Sequence, residues 1–493
     1  MKIKNTLASA LFAAAASVAF ADSLYWVDSR TYTNNASGSH NVATDFNSNK
    51  ESDLIAGVYK WATSAPTLGE DGKPVYSYAD SSVVPDGNTD VFFSFSGLTG
   101  YGEAGSPNLS GDITIKSLTV TGLNKEYMMM RLNDHVFSIK EDLTLKNAGA
   151  GWLHVWFFGA KHFDIQGNVV FENSTNYVDL ARDPASKITV GKDVIFNSDG
   201  RLQFATKGTG TFQNAQSVVS GVARFNNTSA SIYIGTKFID VGEQFYSFGG
   251  VSGTNTAAKL GVDGTEGAIA NSTLVLTNTD AQSFAGKLYD NYERDGSTVQ
   301  GTLNIVMNGS ADSVQTFSGE NRFTGYIQVE SGKLLVKSAM DSTHGKLSLN
   351  GGAVGAIDSL NVSSAEWNGG RLSYFNSGNS APELIAVAGD FAKNASGKIV
   401  VDFNGFDASG IVDDDIWYGI LSAGSLTGFS DDANDDFGFT GLGDNSIKAI
   451  FKWSDSGSSK MLSVSFATVP EPAAIAAVLG AVALAFAVRR GRK

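Results

Sequence analysis

The chain contains no cysteine, and this absence removes several classes of protein at once. Disulfide scaffolds, zinc sites built from thiolates, cysteine nucleophiles and iron–sulfur clusters all require that residue. Histidine is also scarce, with five residues in a chain of 493. Because little histidine-based chemistry is available either, most enzyme classes are disfavoured, and we expect a protein without catalytic activity.

Proline and charge are sparse as well, whereas glycine is abundant. The chain has 8 prolines, 55 glycines and 17% charged residues. This combination is typical of many turns between short strands, and not of collagen or of flexible linkers. A hydrophobic content of 42% is enough for a core. The net charge of −14, with no basic block in the body of the chain, argues against nucleic acid as a partner.

The N-terminus has the pattern of a secretory signal peptide. Two lysines among the first four residues precede the apolar run 7–20. A small-x-small motif from Ala19 to Ala21 then predicts cleavage before Asp22. We therefore expect a cleavable signal helix over residues 1–21, handled by the Sec translocon and signal peptidase.

The C-terminus carries a second apolar segment. Residues 473–488 contain no charge and are followed by the basic tail 489–493. At about 1.5 Å per residue such a helix spans roughly 24 Å, slightly less than a ~30 Å bilayer core. Flanking arginines can extend toward the interface, and the basic tail is expected to stay in the cytoplasm. Both ends thus predict export of residues 22–469.

The order of the elements at this end is specific. Pro470, Glu471 and Pro472 stand just ahead of the apolar segment, and Arg489 and Arg490 follow it. The segment 469–493 resembles the PEP-CTERM sorting signal of Gram-negative bacteria. The resemblance implies recognition of the Pro-Glu-Pro triplet by an exosortase, a stop-transfer role for the two arginines, and a transient membrane anchor. It also implies a final place at the cell surface, in the outer membrane or in an exopolysaccharide matrix.

The body of the chain repeats. A template of two apolar-x-apolar segments separated by three spacers recurs at intervals of 23 to 28 residues, with markers at Ile115, Ile139, Ile165, Val190, Val218 and Val241. Each such coil cannot bury its own apolar residues. Stacking on the next coil, about 4.8 Å away, buries them and pairs the backbone. The sequence therefore predicts an all-β solenoid; an antiparallel sandwich is the alternative.

One segment also resembles a known repeat. The stretch 317–325, followed by 327–334, contains Ser-Gly-x-Asn-x-Phe-Thr-Gly, a short strand and Gly-x-Leu. It resembles the autotransporter-associated β-strand repeat, which implies a right-handed parallel β-helix. We expect coils over residues 109–410, an N-terminal cap region over 22–108, and a C-terminal one over 411–468 with a final strand at 460–466. The last region is too short for an autotransporter barrel.

Few residues suggest ligand chemistry. Two acidic clusters offer weak calcium candidates in Asp413, Asp415, Asp431 and Asp435. Neither cluster has the spacing of an EF-hand, so solvated loops are the default and structural calcium is the alternative. No other metal or cofactor is expected.

Aromatic and polar motifs in the body raise three further questions. The run 152–158 is either a sugar-stacking platform or a packed rung with alternate rings inside. His154 and His162 have no carboxylate partner in obvious register. The triplet 278–280 resembles the Asn-Thr-Asp element of polygalacturonases, but the other elements of that family are missing, so a corner turn is expected.

These patterns together predict an exported, exosortase-sorted structural or adhesive protein of the surface or extracellular matrix. One alternative is a polysaccharide-degrading β-helix enzyme, and another is a periplasmic protein anchored in the inner membrane. Removal of residues 1–21 and 489–493 takes away six basic residues and leaves 30 basic and 50 acidic ones. The exported body would then carry a net charge of −20, which discourages direct binding of anionic polymers unless cations bridge them.

Overall fold

The structure is a computed structural model of the chain, and it is nearly all β. The residues it describes are 23–26, 44–45, 61–65, 67–68, 70, 74–75, 77, 79, 83–94, 103–104, 107–122, 126–147, 153–173, 176–180, 185–206, 211–235, 242–262, 270–290, 301–337, 343–374, 384–404, 413–443, 446–469 and 481–482. Successive coils of the chain place their strands in three parallel stacks, as a β-solenoid requires.

Stack 1 contains the first strand of each coil. Its members, each paired in parallel with the next, are β9 (Ile113–Ile115), β12 (Val136–Ile139), β15 (His162–Ile165), β18 (Ile188–Val190), β21 (Ser217–Val219), β24 (Gln244–Phe248), β27 (Ala270–Leu276), β30 (Gly301–Asn308), β33 (Ile327–Ser331), β35 (His344–Leu349), β37 (Ser359–Trp367), β39 (Leu384–Lys393) and β41 (Asp413–Thr427).

Stack 2 contains the second strand of each coil and begins nearer the N-terminus. Its members, again paired in parallel, are β1 (Ser23–Trp26), β6 (Asp90–Ser94), β10 (Ser117–Gly122), β13 (Leu143–Asn147), β16 (Val169–Asn173), β19 (Val194–Phe196), β22 (Ala223–Phe225), β25 (Val251–Gly253), β28 (Ala281–Phe284), β31 (Val314–Phe317), β34 (Lys333–Lys337), β36 (Ala353–Ile357), β38 (Arg371–Ser373), β40 (Ile399–Asp402) and β42 (Phe437–Thr440).

Stack 3 is shorter and ends at residue 322. Its strands are β2 (Thr44–Asp45), β8 (Pro107–Asn108), β11 (Glu126–Arg131), β14 (Leu153–Phe158), β17 (Asn176–Asp179), β20 (Gly200–Phe204), β23 (Ser231–Ile234), β26 (Lys259–Val262), β29 (Lys287–Tyr289) and β32 (Asn321–Arg322), with β7 (Glu103–Ala104) beside β11. Among the described residues, coils after this point place strands in stacks 1 and 2 alone.

The core lies inside the coil and is built from columns of like residues. Along β13 and its neighbours, buried inward side chains, which are mostly apolar, alternate with half-buried outward ones, which are mostly polar. Because the strands pair in register, equivalent rings lie on one another: Phe171 on Phe196 at 4.4 Å between ring centroids, and Phe196 on Phe225 at 5.0 Å. Stacked rings exclude water and add to the free energy of burial.

The predicted period is confirmed for the first coils and wrong afterwards. Ile115, Ile139, Ile165 and Val190 pair in one column. The next member is Val219, not Val218, and the one after it is Phe248. Val241 lies outside the described residues. These two coils are each 29 residues long, because the chain between strands carries extra residues while the strands keep their pairing.

Corners between stacks 1 and 2 bring successive coils into close contact. A Cβ at Gly167 would meet the carbonyl oxygen of Glu141, and one at Gly191 would meet that of Gln166. Only glycine accommodates this approach, so these two glycines are among those that form the turns which the glycine-rich composition indicates. Beside them, Asp142 accepts from the backbone N–H of Asn168 at 2.7 Å.

The ends of the solenoid differ from the predicted cap boundaries. β6 already pairs in parallel with β10, so the coils begin before residue 109. At the other end, β41 and β42 still stack on β39 and β40, so coils continue past residue 410. The predicted final strand is confirmed as β44 (Ser459–Thr468).

The remaining elements lie at the two ends. At the C-terminal end, β44 pairs antiparallel with β41 and with β43 (Ile447–Ser456), and a short helix, α1 (Ala433–Asp436), precedes β42. At the N-terminal end, β3 (Trp61–Ala62) pairs antiparallel with β1, and β4 (Thr67–Leu68) pairs with β5 (Pro74–Val75).

A buried histidine follows the end of stack 3. His344 is fully buried, and its Nδ1 and Nε2 lie 2.9 Å and 3.3 Å from the carbonyl oxygens of Phe323 and Lys337. Burial lowers the pKa of His344 below its ordinary 6.5. The hydrogen bonds to the two carbonyl oxygens raise the pKa, but their effect is smaller than that of burial. At a pH just below 6.5, the imidazole of His344 therefore binds a proton less readily in the native chain than in the unfolded one.

This histidine predicts a pH dependence of stability. Between its lowered native pKa and about 6.5 the unfolded chain binds more protons, so the free energy of unfolding should fall as the pH is lowered through this range. In His344→Gln the fall should be shallower, although His162, whose pKa burial also lowers, retains part of it. Denaturant midpoints from pH 5 to pH 8 test this. An unchanged slope in His344→Gln, with His135→Gln as control, would contradict the prediction.

Candidate functional site

The predicted sorting residues lie outside the described part of the chain. This applies to Ala19, Ala21, Asp22, Pro470, Glu471, Pro472, Arg489 and Arg490. Of the predicted membrane helix 473–488, the structure describes Ala481 and Val482, both helical. Within the described residues, no helix has the length and apolarity needed to span a bilayer.

The calcium candidates are distributed over two elements. Asp413 and Asp415 belong to β41, whereas Asp431 and Asp435 are exposed beside and within α1. Asp432 is occupied as the N-cap of α1, where it accepts from the backbone N–H of Asn434 at 2.9 Å. Over the described ranges, no group of three or more His, Asp or Glu side chains is placed to hold a metal ion.

The strongest candidate site lies on the outer surface of stack 3. In β14 Leu153, Val155 and Phe157 point inward, so alternate side chains enter the core and Phe157 is the ring among them, which agrees with the packed-rung expectation for this run. The other side chains meet those of the preceding coil and of the next two coils. We name this group the outer cluster: Arg131, His154, Trp156, Phe158, Tyr177, Asp179 and Arg201.

Buried ionic groups form the base of the outer cluster. Asp179 Oδ2 lies 3.4 Å from His154 Nε2, and its Oδ1 lies 3.3 Å from an Arg201 guanidinium nitrogen. The three residues are 9% exposed or less. The Arg201 guanidinium also lies over the Tyr177 ring at 5.2 Å. Its Nε is buried without a hydrogen-bond partner among the described residues, so the cluster retains an unused donor.

Half-exposed rings form the rim of the outer cluster. Trp156 and Phe158 meet edge to face at 6.3 Å, and the Trp156 indole N–H donates to His154. The exposed guanidinium of Arg131 lies 6.0 Å from the Phe158 ring. Such rings offer flat apolar surface beside hydrogen-bonding groups, which is the arrangement that binds a sugar ring by stacking and orients its hydroxyls.

The expectation that His154 and His162 lack carboxylate partners was wrong. His154 lies beside Asp179, and His162 Nε2 lies 3.9 Å from Asp164 Oδ1. Asp179 lies in the next coil, where it is directly opposite Trp156 and contacts His154 diagonally. A diagonal neighbour of this kind is found only when the lengths of both coils are known.

The group around His162 has the residue types of a catalytic triad but not its connections. His162 Nε2 lies 2.9 Å from Thr189 Oγ1, while the Thr189 hydroxyl donates to Asp164. In a working triad the carboxylate orients the histidine, and the hydroxyl is left to attack substrate. Here the carboxylate binds the hydroxyl directly, so the arrangement fixes two coils together rather than activating a nucleophile.

A second polar surface follows stack 1 over four coils. Asn394 donates to Asn368 at 2.9 Å, Asn368 to Asn350 at 2.8 Å, and Asn350 to Glu330 at 2.5 Å. Nearby, Lys346 lies 2.6 Å from Glu366. This hydrogen bond to Lys346 holds the pKa of Glu366 below its ordinary value. An ionised carboxylate of this kind cannot act as the general acid of glycoside hydrolysis.

The polygalacturonase-like triplet is a turn, as expected. Residues 278–280 lie between β27 and β28. The Asn278 amide is buried and donates to the carbonyl oxygens of Asp280 at 2.8 Å and Val314 at 3.1 Å. Its hydrogen bonds therefore hold the turn and the next coil.

Comparisons with protein-family models, curated proteins and solved structures found no match for this chain. The fold class, a parallel β-solenoid, therefore rests on the strand pairing itself. The outer cluster is likewise defined by its geometry alone.

The buried Asp179–Arg201 pair predicts that one substitution lowers the free energy of unfolding by a large amount. Asp179→Ala would leave the buried Arg201 guanidinium without its carboxylate, and we expect a loss of about 3 to 5 kcal/mol in the free energy of unfolding. Asp179→Ala combined with Arg201→Met should recover part of this loss, because the unpaired charge is removed. Asp455→Ala, at an exposed pair with Lys460, is the control and should cost less than about 1 kcal/mol. Thermal and denaturant unfolding measure these differences; equal effects at both sites would refute the prediction.

Proposed function

We propose that the protein is an exported structural or adhesive component of the cell surface or extracellular matrix, sorted by an exosortase and without catalytic activity. The observation that supports this most is that polar side chains form hydrogen bonds between successive coils and so stabilise the scaffold. Asp142 accepts from the coil above, Asp290 accepts from the backbone N–H groups of Leu303 and Thr324 at 2.7 Å each, and Asn350 forms part of a ladder. A right-handed coil is favoured by the repeat resemblance and by the general handedness of parallel crossovers.

The outer cluster supports an adhesive role toward polysaccharide. Trp156 and Phe158 present half-exposed rings, and Arg131 supplies an exposed cation beside them. A single sugar ring bound this way has low affinity, but a polymer that meets many copies of the protein gains avidity. Arg131 would also offset locally the repulsion between an anionic polymer and the acidic body of the chain.

The rival enzymatic function needs a carboxylic acid with a raised pKa facing a groove. Burial raises the pKa of Asp290, but both of its oxygens accept hydrogen bonds within the coil. The pKa values of Glu320 and Glu366 are lowered by hydrogen bonds to Lys287 and Lys346. The contacts of these three carboxylates therefore support a structural function rather than a polysaccharide-degrading one.

Identification of the C-terminal residue of the mature protein in its native host tests the proposed sorting. Because β44 ends at Thr468, cleavage within or after the Pro-Glu-Pro triplet would leave every described strand intact. We expect mass spectrometry to find a chain ending near Pro472 in the surface or extracellular fraction. Pro470→Ala with Pro472→Ala should instead retain the C-terminal helix in the membrane fraction. An intact helix in the unaltered protein would favour the inner-membrane-anchored periplasmic alternative.

Removal of one ring of the outer cluster tests whether this surface binds polysaccharide. Trp156→Ala should weaken retardation of the purified protein in gels containing hydroxyethylcellulose or alginate by about tenfold, as loss of a central aromatic contact does. Trp417→Ala removes a partly exposed ring from the C-terminal end and is the matched control. Equal retardation of both variants and the unaltered protein would exclude this surface as the binding site.

A further inference from the structure

A buried lysine–aspartate pair lies where the last coils meet the C-terminal end. Lys393, the last residue of β39, places its Nζ 2.7 Å from Oδ1 of Asp436, the last residue of α1. The side chains are 11% and 2% exposed. The two residues lie 43 positions apart in the sequence.

This pair differs from the other lysine–carboxylate pairs of the described chain. In those pairs the lysine side chain is 25% to 49% exposed. An ion pair withdrawn from water loses hydration that its mutual attraction often fails to recover. A buried pair is therefore a costly way to hold two elements together, unless the contact serves a second purpose.

Aromatic residues adjoin both members of the pair along the chain. Phe429, the residue before Ser430, packs its ring against Phe391, Phe437 and Trp453 at 5.0 to 5.9 Å. Phe391 is two residues from Lys393 in the same strand, and Phe437 follows Asp436 directly. The aromatic group therefore places buried apolar side chains next to both members of the pair along the chain.

Backbone contacts fix the carboxyl group of Asp436. The backbone N–H of Ser430 donates to its Oδ2 at 2.5 Å. The helix that carries Asp436 is held in turn, since Asn434 donates to the Phe451 carbonyl oxygen at 2.9 Å and accepts from its N–H at 3.0 Å. The amine and the carboxyl group are thus held in contact through Oδ1, which raises their effective concentration.

We infer that Lys393 and Asp436 are the partners of an intramolecular amide bond. A proton passes from Nζ to Oδ1, and the neutral amine then attacks Cγ. The Ser430 N–H stabilises the negative charge that develops on Oδ2. A bond forms between Nζ and Cγ, the bond between Cγ and Oδ1 breaks, and Oδ1 leaves as water with two protons from the original ammonium group. No oxidant or cofactor is needed.

Such a bond would give an exported chain without cysteine a covalent brace. It would join the end of β39 to α1 and close a loop that contains β40, β41 and the turn before α1. A cross-link of this kind restricts the unfolded chain in the same way that a disulfide does. Unlike a disulfide it cannot be reduced.

Mass spectrometry of the full-length purified protein tests the inference directly. We expect the intact mass to be lower than that of the sequence by one water, and trypsin to leave Lys393 uncleaved in a branched peptide that contains both residues. Lys393→Ala and Asp436→Ala should each show the full mass of their own sequence. Fragmentation must assign the loss to the Lys393–Asp436 link, because a succinimide at an Asp–Gly step also loses water and would persist in both variants.

The unaltered protein supplies the deciding result, so the outcome does not depend on whether the variants fold. A full-mass chain cleaved by trypsin after Lys393 would overturn the inference and leave an ordinary buried ion pair. A water loss that both variants retain would overturn it as well. A branched peptide in the unaltered protein alone supports it.

Discussion

Parallel pairing of each strand with the equivalent strand of the next coil is the constraint on which the rest of this structure depends. A strand inside the stack has its backbone N–H and C=O groups satisfied by the coils on either side. Every position is therefore repeated about 4.8 Å further along the axis, on the same side of the coil. Favourable contacts such as the Phe171–Phe196–Phe225 column accumulate, and so do restrictions such as the glycine requirement at residues 167 and 191.

The same constraint explains which parts of the fold the sequence predicts. Strand positions alternate with period two and pair in register, so the markers from Ile115 to Val190 were predictable. Corner segments have no such requirement, and lengthening a surface loop costs little free energy. The period therefore failed where corners lengthened, at Val219 and Phe248. The end of stack 3 at Arg322 was not predictable for a related reason, since coils with two or three strands share one apolar pattern.

The outer cluster shows the corresponding limit for a site. Of the two interpretations of the run 152–158, the packed rung is observed for β14, where inward and outward side chains alternate from Leu153 to Phe158 with His154 also buried. Asp179 contacts His154 in one neighbouring coil and Arg201 in the other, and it is directly opposite neither of them, so both contacts depend on the register of three coils. Residue types and spacing within one strand cannot supply that register. Polar pairs between coils are therefore under-predicted in a solenoid, while turns such as 278–280 are recognised from their own residues.

A stack of parallel strands is closed along its length but open at its ends, and an open end invites pairing with another chain. The C-terminal end is covered by the antiparallel strands β43 and β44, and β44 ends at Thr468. The Pro-Glu-Pro triplet starts two residues later, so β44 is the last described strand before the predicted membrane segment. Processing beyond Val469 would leave this cover complete. The Lys393–Asp436 contact ties α1, which precedes β42, to the coil beneath, at the place where forces from a membrane or matrix would enter the fold.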